Sequence, residues 1–447
     1  MSTSDSVNCI AAIQQALRDA GLDGWLFYDF RGSDPLAARI LKINPQRHMT
    51  RRWYYLIPAQ GVPQKILHRI EPHSLDDVPG ESRLYLSWQE QHEHLRRMLQ
   101  ALSEGKSEAP AQLGRARGPA ENGASWRTRG GRVENGASET APAAARAPAK
   151  IAMQYSPLNA IPYISRVDAG TIELVRSLSV EVVTSADLLQ RFEAVWTKDQ
   201  YASHCEAAAK LRQIVDDAFA RVREEVIRSA TFTERDLQQD ILARITARGM
   251  HTYAPPIAAV NAHAADPHYS PPEHGSSPIR RGDLVLIDLW AKNTAPGSMY
   301  GDITWTGYVG ESVPGRHAEV FAIVASARDA AITFVQQEVR AGRFPRGGDV
   351  DDVCRRVIRQ AGYGDRFLHR TGHSIGEEVH GNGANIDNLE TRDGRRLLPN
   401  TCFSIEPGIY LPGEFGIRSE VDVYLTQTDA LVTGIPIQTA IIPILAT

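Results

Sequence analysis

Two aspartates sit where apolar residues would be expected. Leu284-Val-Leu-Ile-Asp-Leu-Trp290 is a continuous apolar run of strand length with Asp288 inside it, and a carboxylate in a core strand needs a partner. Fourteen residues on, Gly301-Asp-Ile-Thr-Trp-Thr306 reads as a second strand, whose period of two puts Asp302, Thr304 and Thr306 on one face. An ion pair or a turn cap would account for either aspartate alone. Three more motifs set metal-ligand residue types beside strand patterns: Gly372-His-Ser-Ile-Gly376, Ser404-Ile-Glu-Pro-Gly408 and Arg418-Ser-Glu-Val-Asp422. Glycine next to His373 permits close backbone approach, and Pro407-Gly408 turns the chain directly after Glu406, fixing where that carboxylate points. Asp288, Asp302, Glu406 and Glu420 crowded together without cations would repel and take up protons, whereas two divalent ions match their four negative charges.

This ordered set, Asp288, Asp302, His373, Glu406 and Glu420, resembles the signature of the pita-bread metallopeptidases, which include methionine aminopeptidase, aminopeptidase P and prolidase. Asp266-Pro-His-Tyr269 and Val379-His380 extend the resemblance. The resemblance implies that Asp288 binds one metal, that His373 and Glu406 bind the other, and that Asp302 and Glu420 bridge the two. Two divalent ions are implied as cofactors, manganese first, with zinc or cobalt as alternatives, since carboxylate and imidazole ligands suit several first-row ions. Glu406 is then the group that takes a proton from water and hands it to the departing nitrogen. His268 and His380 match the two substrate-side histidines that steady the scissile carbonyl, although a lone histidine is more often a structural residue. Arg392 lies fourteen residues before Glu406, where prolidases hold the carboxylate of a dipeptide; a loop arginine in a run with Arg395 and Arg396 accounts for it equally well. Arg418 shares a strand face with Glu420 and is expected to orient it from the substrate-binding side.

The elements that must position these groups fall into two sets. A helix over 9–20, strands at 24–28, 52–58, 65–70 and 83–86, a helix over 88–101, a strand at 151–155, a helix over 168–177 and a strand at 180–183 make an α/β N-terminal domain, residues 1–190. By resemblance this domain is like the one carried by prolidase, aminopeptidase P and creatinase. Within it, 103–149 turns to Ala, Gly, Pro, Ser, Arg and Glu and repeats Glu-Asn-Gly-Ala-Ser; this reads as a low-complexity insertion whose Arg115, Arg117, Arg127, Arg129 and Arg132 are solvated. From about 190 the pattern becomes helical, with Leu211, Ile214, Val215, Ala218, Val222 and Val226 on one face. Thr233 caps the next helix, Gly249 ends it, and strands run to about 310. Helices near 316–341 and 349–361 followed by strands to about 425 repeat the arrangement, so 191–447 is expected to be an α+β pita-bread (creatinase/aminopeptidase-like) catalytic domain of two similar halves.

The sequence departs from the family pattern at three places. The interval between Asp288 and Asp302 is long, with 292–298 reading as an extended hairpin turn, Trp305 stands where many relatives have arginine, and Gly381 follows His380 where an acid is common. Bulk properties narrow the remaining possibilities. The 447 residues suit two domains, and an apolar share of 42% with 23% charged residues is that of a globular protein. A net charge of −4 without a basic tract outside the insertion argues against nucleic acid as a partner, and no run is long and apolar enough for a membrane span. Four scattered cysteines read as reduced thiols, and with a start lacking a basic, then apolar, leader they make the cytoplasm the expected location. The leading expectation is an Xaa-Pro dipeptidase acting on dipeptides or short peptides, as a homodimer by family resemblance. An Xaa-Pro aminopeptidase on longer peptides, a creatinase-like amidinohydrolase and a catalytically silent binding module are the alternatives.

Overall fold

The computed structural model describes residues 3–44, 46–104 and 147–446. Most of the low-complexity stretch, including its five arginines, lies outside the described residues. The chain divides into two compact units: residues 1–33, 43–153 and 167–183 form the first, and residues 34–42, 154–166 and 184–447 form the second.

The first unit is a mixed sheet. Its strands β1 (Gly24–Asp29), β2 (Trp53–Pro58), β3 (Gln64–His68), β4 (Glu81–Tyr85), β5 (Ala149–Met153) and β6 (Val180–Thr184) lie in the order β4-β3-β2-β1-β5-β6. β1 pairs antiparallel with β2 and parallel with β5. Every residue of β1 and β2 is buried, which is why both read as unbroken apolar runs rather than alternating ones. The helix Trp88–Glu104 runs one turn beyond its expected end.

In the second unit the long helix Lys198–Ile227 starts at a capping box in which Thr197 and Gln200 satisfy each other's backbone N–H groups. It buries Leu211, Ile214, Val215, Ala218 and Val222 against a sheet. The next helix, Glu234–Ala247, opens on a second capping box between Thr233 and Asp236, and Gly249 follows it at φ +68. The sheet beneath comprises β7 (Met250–His251), β8 (Ile257–Val260), β9 (Leu284–Asn293) and β10 (Gly301–Tyr308). Helices Gly315–Arg340 and Gly347–Gln360 then precede β11 (Ser374–Ile375), β12 (Cys402–Ile405), β13 (Gly408–Leu411), β14 (Phe415–Arg418), β15 (Val421–Leu425) and β16 (Ala430–Thr433). β17 (Ile442–Pro443) returns to pair with β10. Each helix pair has its own apolar core: Leu211, Ile241 and Ile287 belong to one, and Val324, Ile358 and Phe403 to the other. The unit is therefore two α+β halves, as the repeated sequence pattern implies.

Candidate metal centre

The pairing of β9 with β10 sets Asp288 opposite Thr304 and Asp302 opposite Trp290, so the two acids are diagonal neighbours on one face. Glu420 sits in the corner between β14 and β15. Its backbone N–H reaches Thr304 O at 3.4 Å, and Thr304 Oγ1 donates to its Oε2 at 2.7 Å, which holds the carboxylate over β10. His373 and Glu406 arrive from the other half. Ser404 N donates to His373 O (2.9 Å) and Glu406 N to Thr371 O (2.7 Å), and this close approach needs glycine at 372, where a Cβ would lie 1.9 Å from Ser404 O. His373 Nε2 ends 3.6 Å from both Asp302 Oδ2 and Glu406 Oε1. One ligand atom from each of Asp302, His373 and Glu420 lies within 4.8 Å of the others.

Asp288 is held from behind. Arg418 Nη2 donates to its Oδ2, while Arg418 Nε donates to Thr304 Oγ1 at 3.1 Å and Nη1 to Tyr410 OH at 3.1 Å. Burial raises the Tyr410 phenol to about 12, so it remains an O–H. Burial likewise lowers His369 to about 3 and keeps it neutral; its Nδ1–H donates to Arg370 O (2.7 Å), leaving Nε2 to accept from Tyr410 OH (2.7 Å). Arg418 thus donates to Asp288 on one side and, through the Tyr410 hydroxyl, to neutral His369 on the other.

The charges are unbalanced without a cation. Burial, then neighbouring Glu420 and Asp288, raises Asp302 well above the usual carboxylate range; burial, then Glu406 and Asp288, does the same to Glu420. Burial, opposed by Arg418 and reinforced by Asp288, brings Glu406 to about 7. Arg418 stays protonated despite its burial because Tyr410, Asp288 and Glu406 surround it. His373 is pushed well below its ordinary value by burial and by His380, leaving a neutral imidazole able to ligate. Asp288 Oδ1 and Asp302 Oδ1 are buried with no hydrogen-bond partner. Acceptor oxygens left bare beside a neutral imidazole form the donor set a divalent cation requires, so these residues fit a metal.

These groups line a cavity of about 200 Å³. His268 and His380 both face it, His268 exposed and His380 with its ring edge-on to His373, centroids 4.4 Å apart. Desolvation, then the Arg370 charge, lowers His380 to about 4, so it is neutral near pH 7. Arg392 is exposed and does not line the cavity; its backbone N–H donates to Ala160 O at 3.1 Å. The guanidinium that does line it, besides Arg418, is Arg370, whose Nη1 donates to Tyr163 OH at 3.1 Å. Arg418 bonds Asp288 and Thr304 rather than Glu420, because the chain leaves the β13–β14 sheet at Ser419 and the two-residue period does not carry across that corner. Asp422, which sequence reasoning passed over, accepts from Asp302 N at 2.9 Å and is itself raised by burial. Its spacing of two from Glu420 was the available signal.

Residues 206–427 match metallopeptidase family M24. The chain is 31% identical to the "Probable dipeptidase PepE" of Mycobacterium tuberculosis over 274 residues, which cover 61% of this chain and 67% of that one. It is 30% identical to an Xaa-Pro dipeptidase of Pyrococcus furiosus over 247 residues, covering 55% and 64%. The crystal structure of dipeptidase PepE from Mycobacterium ulcerans superposes with a TM-score of 0.64 at 25% identity, covering 99% of this chain and 98% of that one. With its acidic cavity, its paired α+β halves and these matches, the chain belongs to metallopeptidase family M24, a pita-bread hydrolase whose family implies divalent metal ions.

Proposed function

We propose that this chain hydrolyses Xaa-Pro bonds in dipeptides, with Asp288, Asp302, His373, Glu406 and Glu420 holding two divalent ions, manganese first and zinc or cobalt as alternatives. The observation that carries the reading is that all five side chains line one cavity, where ligand atoms of Asp302, His373 and Glu420 lie within 4.8 Å of one another and the buried Oδ1 atoms of Asp288 and Asp302 have no hydrogen-bond partner. Relatives named Xaa-Pro dipeptidase support the substrate class. Bound ions would supply Lewis-acid polarisation and a nucleophile at neutral pH. Glu406, at the cavity wall with its Oε1 near His373, is placed to accept a proton and pass it to the proline nitrogen, which leaves as an amine. His380, neutral near pH 7, and His268 both line the cavity and would donate to the carbonyl oxygen as charge develops. The Xaa-Pro amide lacks an N–H, so recognition rests on shape and on the chain ends.

Xaa-Pro aminopeptidase action on longer peptides is the second reading, and one observation favours it: Arg392, the residue expected to hold a dipeptide's carboxylate, does not line the cavity. The protein should be assayed with added Mn, Co or Zn on Ala-Pro and Ala-Pro-Ala. Preferential cleavage of Ala-Pro supports the dipeptidase, and preferential cleavage of the tripeptide supports the aminopeptidase. Bound metal without hydrolysis of either leaves a silent binding module. A cytoplasmic homodimer is the assembly and location we propose with this activity; a monomeric mass in sedimentation would count against the dimer.

A further inference from the structure

At one end of the first unit's sheet lies a hollow of about 750 Å³ that shares no lining residue with the metal cavity. β1, β3 and β4 run in the same direction, because β2 is antiparallel to both β1 and β3, and β3 is parallel to β4. The hollow opens where these three strands end: Phe30 and Arg31 follow β1, His68 closes β3, and Tyr85 and Leu86 end β4. In open α/β sheets, small ligands bind at the carboxyl ends of the strands. We propose that this hollow binds a phosphate monoester that carries a flat ring, the chemistry of a mononucleotide.

The charge of the walls selects the phosphate. Arg31, Arg51 and Arg52 line the hollow against one carboxylate, Asp168. Three positive charges and one negative leave a formal sum of +2, and a phosphate monoester carries about −1.5 to −2 at pH 7. A lone carboxylate would cover only part of that charge. Asp168 is already engaged at the start of the helix Ala169–Arg176, where it accepts from Thr171 N (2.9 Å) and Thr171 Oγ1 (2.8 Å). Among the described residues no acid forms an ion pair with Arg31, Arg51 or Arg52. Arg51 and Arg52 are half-buried, so solvent screens them less than it screens a surface arginine. Glu71, outside the lining, accepts the backbone N–H groups of Thr50 and Arg51 at 3.0 Å each and so fixes the segment that carries both guanidinium groups.

The apolar part of the lining selects the ring. Trp88, Leu86 and Phe30 are 60%, 59% and 40% exposed around this one concavity, and large apolar side chains left in water together mark a ligand-binding groove. Trp88 has His92 at its ring, centroids 5.3 Å apart, and the Arg31 guanidinium lies over Phe30 at 5.1 Å. Aromatic faces and guanidinium planes both stack on flat rings. Phosphate-binding and ring-binding side chains therefore stand in one hollow.

The test titrates the metal-loaded full chain by calorimetry with adenosine monophosphate and flavin mononucleotide, and with adenosine, riboflavin and inorganic phosphate as the separate parts. At least one mononucleotide should bind about tenfold tighter than either of its parts, since charge and ring both contribute. The tighter of the two identifies the ring that the hollow prefers. Arg52→Gln and Trp88→Ala should each weaken that binding by about tenfold while melting as the wild type does. Arg31→Gln, at an exposed position, takes the place of Arg52→Gln if that variant melts early. Three results would overturn the site: no binding of either mononucleotide, inorganic phosphate bound as tightly as the mononucleotides, or binding that the variants leave unchanged, as binding at the metal centre would be.

Discussion

Arg418 carries more of the centre than any other non-ligand side chain, because its planar fork serves Asp288, Thr304 and Tyr410 at once. Arg418→Ala would leave Asp288 without its charge partner and free the carboxylate to turn. Changes to such supporting groups cost roughly 10–100-fold in metal affinity or activity, and a fall of that size is expected in calorimetric metal titration as well as in turnover. Arg418→Lys should recover only part of the loss, since an ammonium lacks the fork needed for three acceptors. Full recovery by lysine would mean that charge alone matters at this position.

Between residue and molecule, the ligand-bearing segments of the half that carries His373 and Glu406 are seated against each other by close backbone contacts. Gly372 is the tightest of those beside a ligand, with Ser404 O 1.9 Å from where a Cβ would stand, whereas Gly376 in the same motif has its nearest neighbour, Glu378 O, at 3.8 Å. Gly372→Ala must push the His373 segment off β12, at a cost of about 1–3 kcal/mol for an overpacked site, and should lower both the melting temperature and metal affinity. Gly376→Ala should leave both nearly unchanged. Similar thermal unfolding and metal titration for the two variants would show that the close approach is not what positions His373. At the same scale, the long turn before β10 is held by Met299 N on Ser203 Oγ (3.0 Å) as well as by His204, so its extra length does not loosen Asp302.

For the molecule as a whole, the buried acids set how stability varies with pH. In the metal-free protein Asp302, Glu420 and Asp422 have raised values in the folded state, and Glu406 titrates at about 7. The folded chain therefore binds more protons than the unfolded one above the ordinary carboxylate range of about 4. Stability from these groups is complete below that range and is lost as pH rises through the folded values, for Glu406 up to about pH 7. His369, His373 and His380, which desolvation holds below their ordinary value, oppose this only below about pH 6.5. Chelator-treated protein should therefore melt at a lower temperature at pH 8 than at pH 7, and saturating metal should remove most of that difference, since ligands bound to the folded state stabilise it. A metal-free protein that melts higher at pH 8 would contradict this account of the cluster.

The sequence by itself determined what depends on neighbours along the chain. Periodicity and capping residues located the helices around 198–227 and 234–247, apolar runs marked β1, β2 and β9, and the spaced motifs brought out the five metal-ligand types in order. What only the tertiary structure decided depends on residues far apart: that Arg418 grips Asp288 across 130 positions, that Asp422 steadies Asp302 N, that Arg370 rather than Arg392 lines the cavity, and that 34–42 and 154–166 join the second unit. A periodic pattern fixes which face of an element is buried, but not which distant element covers it. Hydrogen bonds between side chains brought together by strand register leave no trace in local spacing.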